Sequence, residues 1–477
     1  MIPVSEYVDQ KVAVFGLGRS GIASARSLAA GGAQVFAWDD RAEGRDAAEA
    51  QGISLSDVYE LEWDTVAALV LSPGIPLTHP KPHPVVDLAT GAGRPIVGDI
   101  ELFARARHAL DLGNPVIAIT GTNGKSTTTA LIGHLLESCG RPVDVGGNIG
   151  RPVLDLDMLG KEGVYVLEMS SYQIDLTQTP VADVGVLLNI TPDHLDRHGD
   201  MENYVRIKRR LLEMQGPEDT AVVSVDDQKC TRIYVALGAR GAQRVIPFSA
   251  EHPVENGVYV RDGVVYDGTD GADRQIADLS QNPALVGKHN WQNAAAAVAA
   301  VAALGIRGDG VEQGLLSFPG LDHRQELIAD IDGVRFVNDS KATNPVSAAR
   351  ALSCYGAVYW IAGGRAKDGD LDALDPYLER VNKAYLIGTA ENKFIQALEG
   401  RTAWERCGTL DVAVASAARD AAQDGIEGAV VLLSPACASF DQFSDFEARG
   451  DAFRKIVMAL KRERGNTSGA VAGGQGG

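Results

Sequence analysis

One short run constrains this chain more than any other. Val116, Ile117, Ala118 and Ile119 make an apolar stretch, Thr120-Gly121-Thr122-Asn123-Gly124-Lys125-Ser126-Thr127 follows it, and a helical pattern then continues to about residue 137. A strand that turns through glycines into a helix N-terminus is a phosphate cradle. The glycines let backbone N–H groups face phosphate oxygens, the lysine brings a point charge to the outer phosphates, and a Ser or Thr hydroxyl reaches Mg²⁺. The general pattern has a further glycine five positions before the second one, and here Ile119 stands in that place. A surface turn that merely contains Gly-Lys-Ser is the alternative, and the strand–loop–helix context argues against it.

A cradle of this kind needs a parallel sheet behind it, and the rest of the chain reads that way. Apolar runs at 12–15, 35–38 and 67–71 alternate with helical patterns, as do runs at 164–167 and 184–188 and a later series at 334–337, 358–362, 384–387 and 429–433. Residues 220–278 read as a glycine-rich region of short strands, and 290–304 as a helix. The alternation is that of α/β domains. With 477 residues, two or three domains are expected. The Ala-rich stretch 294–304 is too short to span a bilayer and reads as a buried helix.

The formal net charge of −19 excludes non-specific nucleic-acid binding, which needs a basic surface, so any anion site must be built locally. Cys139, Cys230, Cys354, Cys407 and Cys437 are far apart in sequence, which excludes a CxxC or zinc-knuckle motif and suits a reduced cytosolic protein. The first ten residues carry no apolar signal region, so a cytoplasmic location without a membrane partner is expected.

Other polar residues fall at the carboxyl ends of the expected strands, where α/β domains bind ligands. Gly16-Leu17-Gly18-Arg19-Ser20-Gly21 follows the first strand and Asp39 ends the second. That is a dinucleotide fingerprint, and it suits NAD or a UDP-sugar equally. Glu168 ends the run 164–167 and is placed to hold Mg²⁺ beside a P-loop, or else to cap a helix. Asn189 opens a loop containing Asp193, His194, Asp196 and His198, which suits a metal or phosphate site but also an ordinary helix start. Four more polar turns follow: Gly320–Arg324, Asn338–Asn344, Gly363–Lys367 and Ser434–Ser439.

Taken together these motifs resemble the Mur ligase family. The loop with its missing first glycine has that family's form, and the sequences Asn-Asp-Ser-Lys-Ala-Thr-Asn at 338–344, Ser-Pro-Ala-Cys-Ala-Ser at 434–439 and Asp441-Gln442-Phe443 match the member that handles D-glutamate. The resemblance runs from residue 12 to about 449. It implies an α/β fold of three domains: a Rossmann-like UDP-binding domain at 1–97, a central P-loop ATPase-type parallel sheet at 98–320, and a Rossmann-like amino-acid-binding domain at 321–464, with a disordered tail at 465–477. It implies an ATP- and Mg²⁺-dependent ligase, monomeric, that joins D-glutamate to UDP-N-acetylmuramoyl-L-alanine through an acyl phosphate.

The same resemblance assigns roles. Gly18, Arg19, Ser20, Asp39, Asp40, Arg41, Ser72 and Gly74 would surround the UDP portion, and Asn148 the muramoyl–alanyl portion. Gly121, Thr122, Asn123, Gly124, Lys125, Ser126 and Thr127 would hold the ATP phosphates, Asn290 and Asn293 the adenine side, Arg324 the phosphates and Asp339 the ribose. Ser126, Glu168, His194 and a carbamylated Lys208 would hold Mg²⁺; Lys125, His194, Lys208 and Lys341 would be catalytic. Thr343, Lys367, Ser439 and Phe446, with Lys341, would receive D-glutamate. Closure of the third domain over the second would bring Lys341 and Arg324 in and exclude water. At Arg365 some members carry an acid, so no acidic role is expected there. A folate-type or sister ligase, an NAD-dependent dehydrogenase and a non-catalytic nucleotide-binding module are the competing readings; the dehydrogenase leaves the Gly-Lys-Ser loop unexplained, and the module predicts ATP binding without amino-acid-dependent turnover.

Overall fold

The computed structural model describes residues 1–366 and 370–472, with side chains up to residue 464. Three sheets organise it. The first holds β1 (Lys11–Phe15), β2 (Gln34–Trp38), β3 (Val66–Leu71) and β4 (Ile96–Val97) in the order β2-β1-β3-β4, all parallel. The chain leaves β1 for β2 on one side and returns to β3 on the other. The crevice outside the carboxyl ends of β1 and β3 is therefore a topological switch point.

The second sheet holds β5 (Val116–Thr120), β6 (Val143–Gly147), β7 (Val164–Glu168), β8 (Val184–Leu187), β9 (Thr220–Ser224), β10 (Arg244–Ser249), β11 (Val258–Arg261), β12 (Val264–Asp267) and β13 (Arg274–Asp278). Their order is β13-β12-β11-β10-β9-β8-β5-β7-β6, parallel except for the meander β11-β12-β13. Strands β5, β7 and β8 are buried along their whole length, which is why they read as unbroken apolar runs. β5 lies between β7 and β8, so the loops after these three strands meet at one edge. The region expected to be rich in glycine and short strands also contains a helix, Gln228–Arg240, started by Asp227, whose side chain accepts from the amides of Lys229 and Cys230.

The third sheet holds β14 (Glu326–Ile331), β15 (Val334–Asn338), β16 (Val358–Gly363), β17 (Val381–Ile387), β18 (Trp404–Gly408) and β19 (Val430–Leu433), in the order β14-β15-β19-β16-β17-β18. Only the β14–β15 hairpin is antiparallel. Insertion of β19 between β15 and β16 puts three sequence-distant turns side by side.

By contacts the chain forms two compact units: Met1–Gln281 with Lys288–Phe318, and Asn282–Gly287 with the chain from Pro319 onward. The first unit carries two sheets because they share a core: Val14 and Leu28 of the first belong to one buried cluster with Val153, Leu154 and Leu167 of the second. In the second unit, apolar clusters cover both faces of the sheet, around Trp360 and Leu432 on one side and Tyr359 and Val431 on the other. The last helix runs Phe446–Ala472, and residues 473–477 of the expected tail lie outside the described residues. Among the described residues, no helix is long and apolar enough to cross a membrane.

Candidate functional site

The fingerprint turn after β1 opens a cavity of about 550 Å³ in the first unit. Gly18, Arg19, Ser20, Arg41, Ser72 and Gly74 line it on one side, and Asn148, Ser170, Tyr172 and Gln173 on the other. The Arg19–Ala30 helix points its N-terminus here, with no acid in its first turn, so an anion is favoured. Gly21 is required by packing, since a Cβ there would stand 1.9 Å from the carbonyl oxygen of Gly16.

Asp39 is turned away from the cavity. It is buried; its Oδ2 accepts from the Leu17 amide at 2.7 Å and its Oδ1 from the Arg41 amide at 2.9 Å. The carboxylate thus fastens the glycine turn to the end of β2. Asp40 is at the surface, between the Tyr59 hydroxyl and the His83 ring, each at 3.2 Å.

The phosphate loop follows β5 into the Lys125–Ser138 helix. Its first part is tied down: the Thr122 amide donates to the Asn189 carbonyl at 2.8 Å and the Asn123 amide to Asn189 Oδ1 at 2.9 Å. The anion-facing part is therefore the helix start at Gly124, Lys125, Ser126 and Thr127, where backbone N–H groups precede the first intrahelical acceptor. Gly124 sits at φ +84°, and a Cβ would come within 2.3 Å of Asn293 Oδ1. Asn293 and Asn290 are buried on the Lys288–Ala303 helix, bonded to each other at 3.1 Å, and Asn293 accepts from the Thr128 hydroxyl at 3.2 Å. Both asparagines underpin the loop.

Two lysines converge on this turn. Lys125 Nζ donates to the carbonyls of Gly121 and Thr122, each at 2.9 Å. Lys208, brought in from the Met201–Glu213 helix, donates to the same Gly121 carbonyl at 2.9 Å. Lys208 is fully buried; burial, and after it the charge of Lys125, holds its ammonium well below the usual lysine range.

At the end of β7, Glu168 is buried, and its Oε1 accepts from the Asn148 side chain at 2.6 Å. Oε2 is buried with no hydrogen-bond partner. A carboxylate oxygen left in this condition is expensive unless a cation meets it. His194 has φ +53°, keeps a ring nitrogen 3.5 Å from Asp193 and lies 5.1 Å from the Tyr172 ring. Burial lowers its pKa, so the ring is neutral at neutral pH. Among the described residues no group of three or more His, Cys, Asp or Glu stands ready for a metal. The donors present suit Mg²⁺, which takes one or two protein oxygens and completes its shell from phosphate and water. Glu168 and the Ser126 hydroxyl supply oxygens, whereas the His194 nitrogen is the less suited donor.

In the second unit, the turns after β15, β16 and β19 lie together. Asp339 is buried; its Oδ2 accepts from the Ser434 hydroxyl at 2.8 Å and its Oδ1 from the Gln325 amide at 3.2 Å. Burial pushes its carboxyl up to about 7, against those two hydrogen bonds and the nearby Arg324 charge. Lys341 holds its ammonium 3.7 Å from the centre of the Phe446 ring. Thr343 follows, half-buried, its amide donating to the Lys341 carbonyl at 2.8 Å, and Ser439 is buried. The Arg365 amide donates to the Ala438 carbonyl at 2.8 Å, so Arg365 serves as a backbone tie between two turns. Lys367 lies outside the described residues.

Several residues that the motifs did not single out join these parts. Tyr172 lines the cavity and carries the Arg197 guanidinium 4.6 Å above its ring. Arg197 also donates to the Gly74 carbonyl at 2.9 Å, linking the loop that carries His194 to the edge of the cavity. The Tyr204 hydroxyl lies 3.2 Å from Thr122 Oγ1. Buried Arg449 donates to the Ser340 hydroxyl at 2.9 Å and the Cys437 carbonyl at 3.1 Å, holding two turns of the second unit together. No local pattern in the sequence marks aromatic and arginine side chains as bridges.

The chain is similar to known proteins. The Mur ligase middle domain family matches residues 119–301, and the Mur ligase, glutamate ligase domain family matches residues 323–437. The chain is 53% identical over 462 residues to the UDP-N-acetylmuramoylalanine--D-glutamate ligase of Phenylobacterium zucineum (strain HLK1), covering 96% of this chain and 98% of that one. It is 52% identical over 463 residues to the protein of the same name from Rhizobium meliloti (strain 1021), covering 97% and 99%. Among solved structures, UDP-N-acetylmuramate-alanine ligase from Thermotoga maritima superposes with a TM-score of 0.56 at 16% identity, covering 95% of this chain and 100% of that one, a likeness of fold.

Proposed function

The chain belongs to the Mur ligase family, and from that premise we infer that it is an ATP-dependent ligase that adds D-glutamate to UDP-N-acetylmuramoyl-L-alanine, a step of peptidoglycan precursor synthesis. The observation that carries the reading is the phosphate loop with Lys125 at its helix start and the partnerless Glu168 Oε2 at the end of the neighbouring strand. A carboxylate needs such a site to accept a phosphoryl group.

The reaction has two displacements. The alanyl carboxylate oxygen attacks the terminal phosphorus of ATP and ADP leaves; the D-glutamate amine then attacks the acyl carbon, and phosphate leaves as the amine loses its proton. The first step brings anions together, and each unit pair at about 4 Å repels by about 4 kcal/mol at an effective dielectric of about 20. Lys125 and the amides at Gly124–Thr127 would offset this from positions already held in place, at no reorganisation cost. Mg²⁺ would be held by Glu168 and Ser126, with His194 and a carbamylated Lys208 as the further family positions, and would supply charge neutralisation at the transferring phosphoryl group. The cavity beside β1 and β3 would hold the UDP portion, with Arg19, Ser20 and Arg41 near its phosphates and Asn148 directed at the sugar–alanine end. Asp39 would act by fixing the turn.

Asn290 and Asn293 would act on ATP by shaping the loop from below. In the second unit, Asp339 and Arg324 would serve the nucleotide and Lys341, Thr343, Ser439 and Phe446 the incoming amino acid. Neither a disulfide nor a spanning helix occurs among the described residues, and the nucleotide substrates favour a cytoplasmic reaction.

Phosphate release measured with ATP, UDP-N-acetylmuramoyl-L-alanine and a panel of D- and L-amino acids tests the reading. Release that depends on D-glutamate supports it; release indifferent to the amino acid, or absent, overturns it.

A further inference from the structure

Away from the nucleotide site, the Met201–Glu213 and Gln228–Arg240 helices lie side by side and enclose an open groove of about 630 Å³. Its floor is apolar, from Met201, Val205 and Ile233, and its walls carry Arg206, Arg209, Lys229 and Arg232 against one acid, Glu202. Each helix contributes a pair three residues apart, so each pair shares a face. Tyr204 and Lys208 are buried on the other side of the first helix, which separates the groove from the phosphate loop.

Four cations in one place are unexpected in a chain with 63 acidic and 44 basic residues. Elsewhere several arginines are compensated, among them Arg105, Arg107, Arg151, Arg274, Arg401 and Arg454, which pair with carboxylates. In the groove, only Arg209 does so, through Nη2 to Glu213 at 2.7 Å, and its Nε is buried without an acceptor. Arg206 is bonded to the neutral Asn203 side chain at 2.7 Å, with Asp175 within electrostatic reach. Lys229 and Arg232 form no ion pair among the described residues.

Self-repelling cations cost stability unless an anion resides among them. One carboxylate would satisfy one guanidinium. Cations converging from two sides over an apolar floor fit a ligand with several phosphate oxygens and a short hydrocarbon portion. A volume of this size suits a small molecule or a headgroup. We propose that the groove between these two helices binds a phosphate-bearing anion, most tightly one with two or more phosphate groups. It is a second anion site, independent of the ligase reading.

Calorimetric titration of inorganic tripolyphosphate into the full chain, with the ATP site filled by a non-hydrolysable analogue, tests the free-phosphate source. Co-sedimentation with vesicles of an anionic phospholipid tests the headgroup source. Binding in either arm that weakens at least about tenfold in Lys229→Glu/Arg232→Glu supports the proposal, and the arm that responds identifies the source. Lys229→Ala/Arg232→Ala, with unfolding followed by circular dichroism, separates lost binding from lost fold. Absence of binding in both arms, or binding unchanged in both folded variants, overturns it.

Discussion

Lys125 and Lys208 point their ammonium groups at a single acceptor, the carbonyl oxygen of Gly121, each at 2.9 Å. One lysine comes from the helix that the loop opens and the other from a helix some eighty residues later, so two lysines share a carbonyl that the sequence does not connect. Their mutual repulsion, added to burial, is why Lys208 loses its proton readily.

Replacing Lys125 by Ala removes the ammonium charge from the phosphate loop while leaving the cavity beside β1 untouched. Ligation is expected to fall about 10²- to 10³-fold, as for loss of one preorganised donor at a reacting phosphoryl group. Calorimetric binding of the UDP substrate should be unchanged. Normal turnover would remove Lys125 from the site.

A lysine that has lost its proton can react with carbon dioxide: the Nζ lone pair attacks the carbon, a proton leaves, and a carbamate remains. Lys208 has the burial and the lowered pKa for this. Lys208→Ala is expected to lose about 10²-fold or more in ligation rate, with partial recovery on adding bicarbonate or short carboxylates that take the vacated space. Labelled bicarbonate should be incorporated by the parent chain and not by the variant. There is also a stability consequence: with the folded pKa depressed, the unfolded chain binds the extra proton at every pH from the lowered value up to 10.5, so this residue's cost shrinks as pH rises through that window.

Glu168→Gln keeps the hydrogen bond from Asn148, because the amide oxygen still accepts, and removes the charge beside the buried, partnerless oxygen. Thermal unfolding without ligands should be no earlier in the variant, since an uncompensated buried charge has been neutralised. The extra stability that Mg²⁺ and nucleotide together confer on the parent should disappear, with ligation down about 10²-fold. An undiminished Mg²⁺-dependent shift would take Glu168 out of the cation site.

Asp339 gives a pH signature confined to the second unit. Its folded pKa of about 7 lies above the ordinary 3.8, so between these values the folded state keeps a proton that the unfolded chain has released. Stability therefore falls as pH rises through that window, and the cost is complete above about pH 7. Asp339→Asn removes this component. Urea unfolding of the variant should decline less with pH than that of the parent between pH 4 and 7. Parallel slopes in the two proteins would contradict the assignment.

Much of the site was legible locally. The phosphate loop, the fingerprint turn, Glu168 at a strand end and the polar turns of the third sheet are each encoded within a few consecutive residues, because a glycine turn between a strand and a helix depends on its immediate neighbours. Other features were not legible. Asp39 reads as a ligand contact at the end of β2, yet it spends its oxygens on the amides of Leu17 and Arg41. Asn290 and Asn293 read as adenine contacts, yet both are buried beneath Gly124. In each case the direction of the side chain was decided by what packed against it. Arg197 and Tyr172 carried no signal, since a cation over a ring arises only when two distant loops meet.

The sequence by itself determined the kind of element at each position and where phosphate-binding turns begin, since apolar periodicity and glycine placement act over a few residues. Only the tertiary structure decided which turns share an edge, which carboxylate oxygen is left without a partner, and which lysine is buried beside another. Those properties come from strand order and from the low-dielectric interior that packing creates: inserting β19 between β15 and β16, and folding the Met201–Glu213 helix back onto the phosphate loop, set distances between charges that no stretch of neighbouring residues contains.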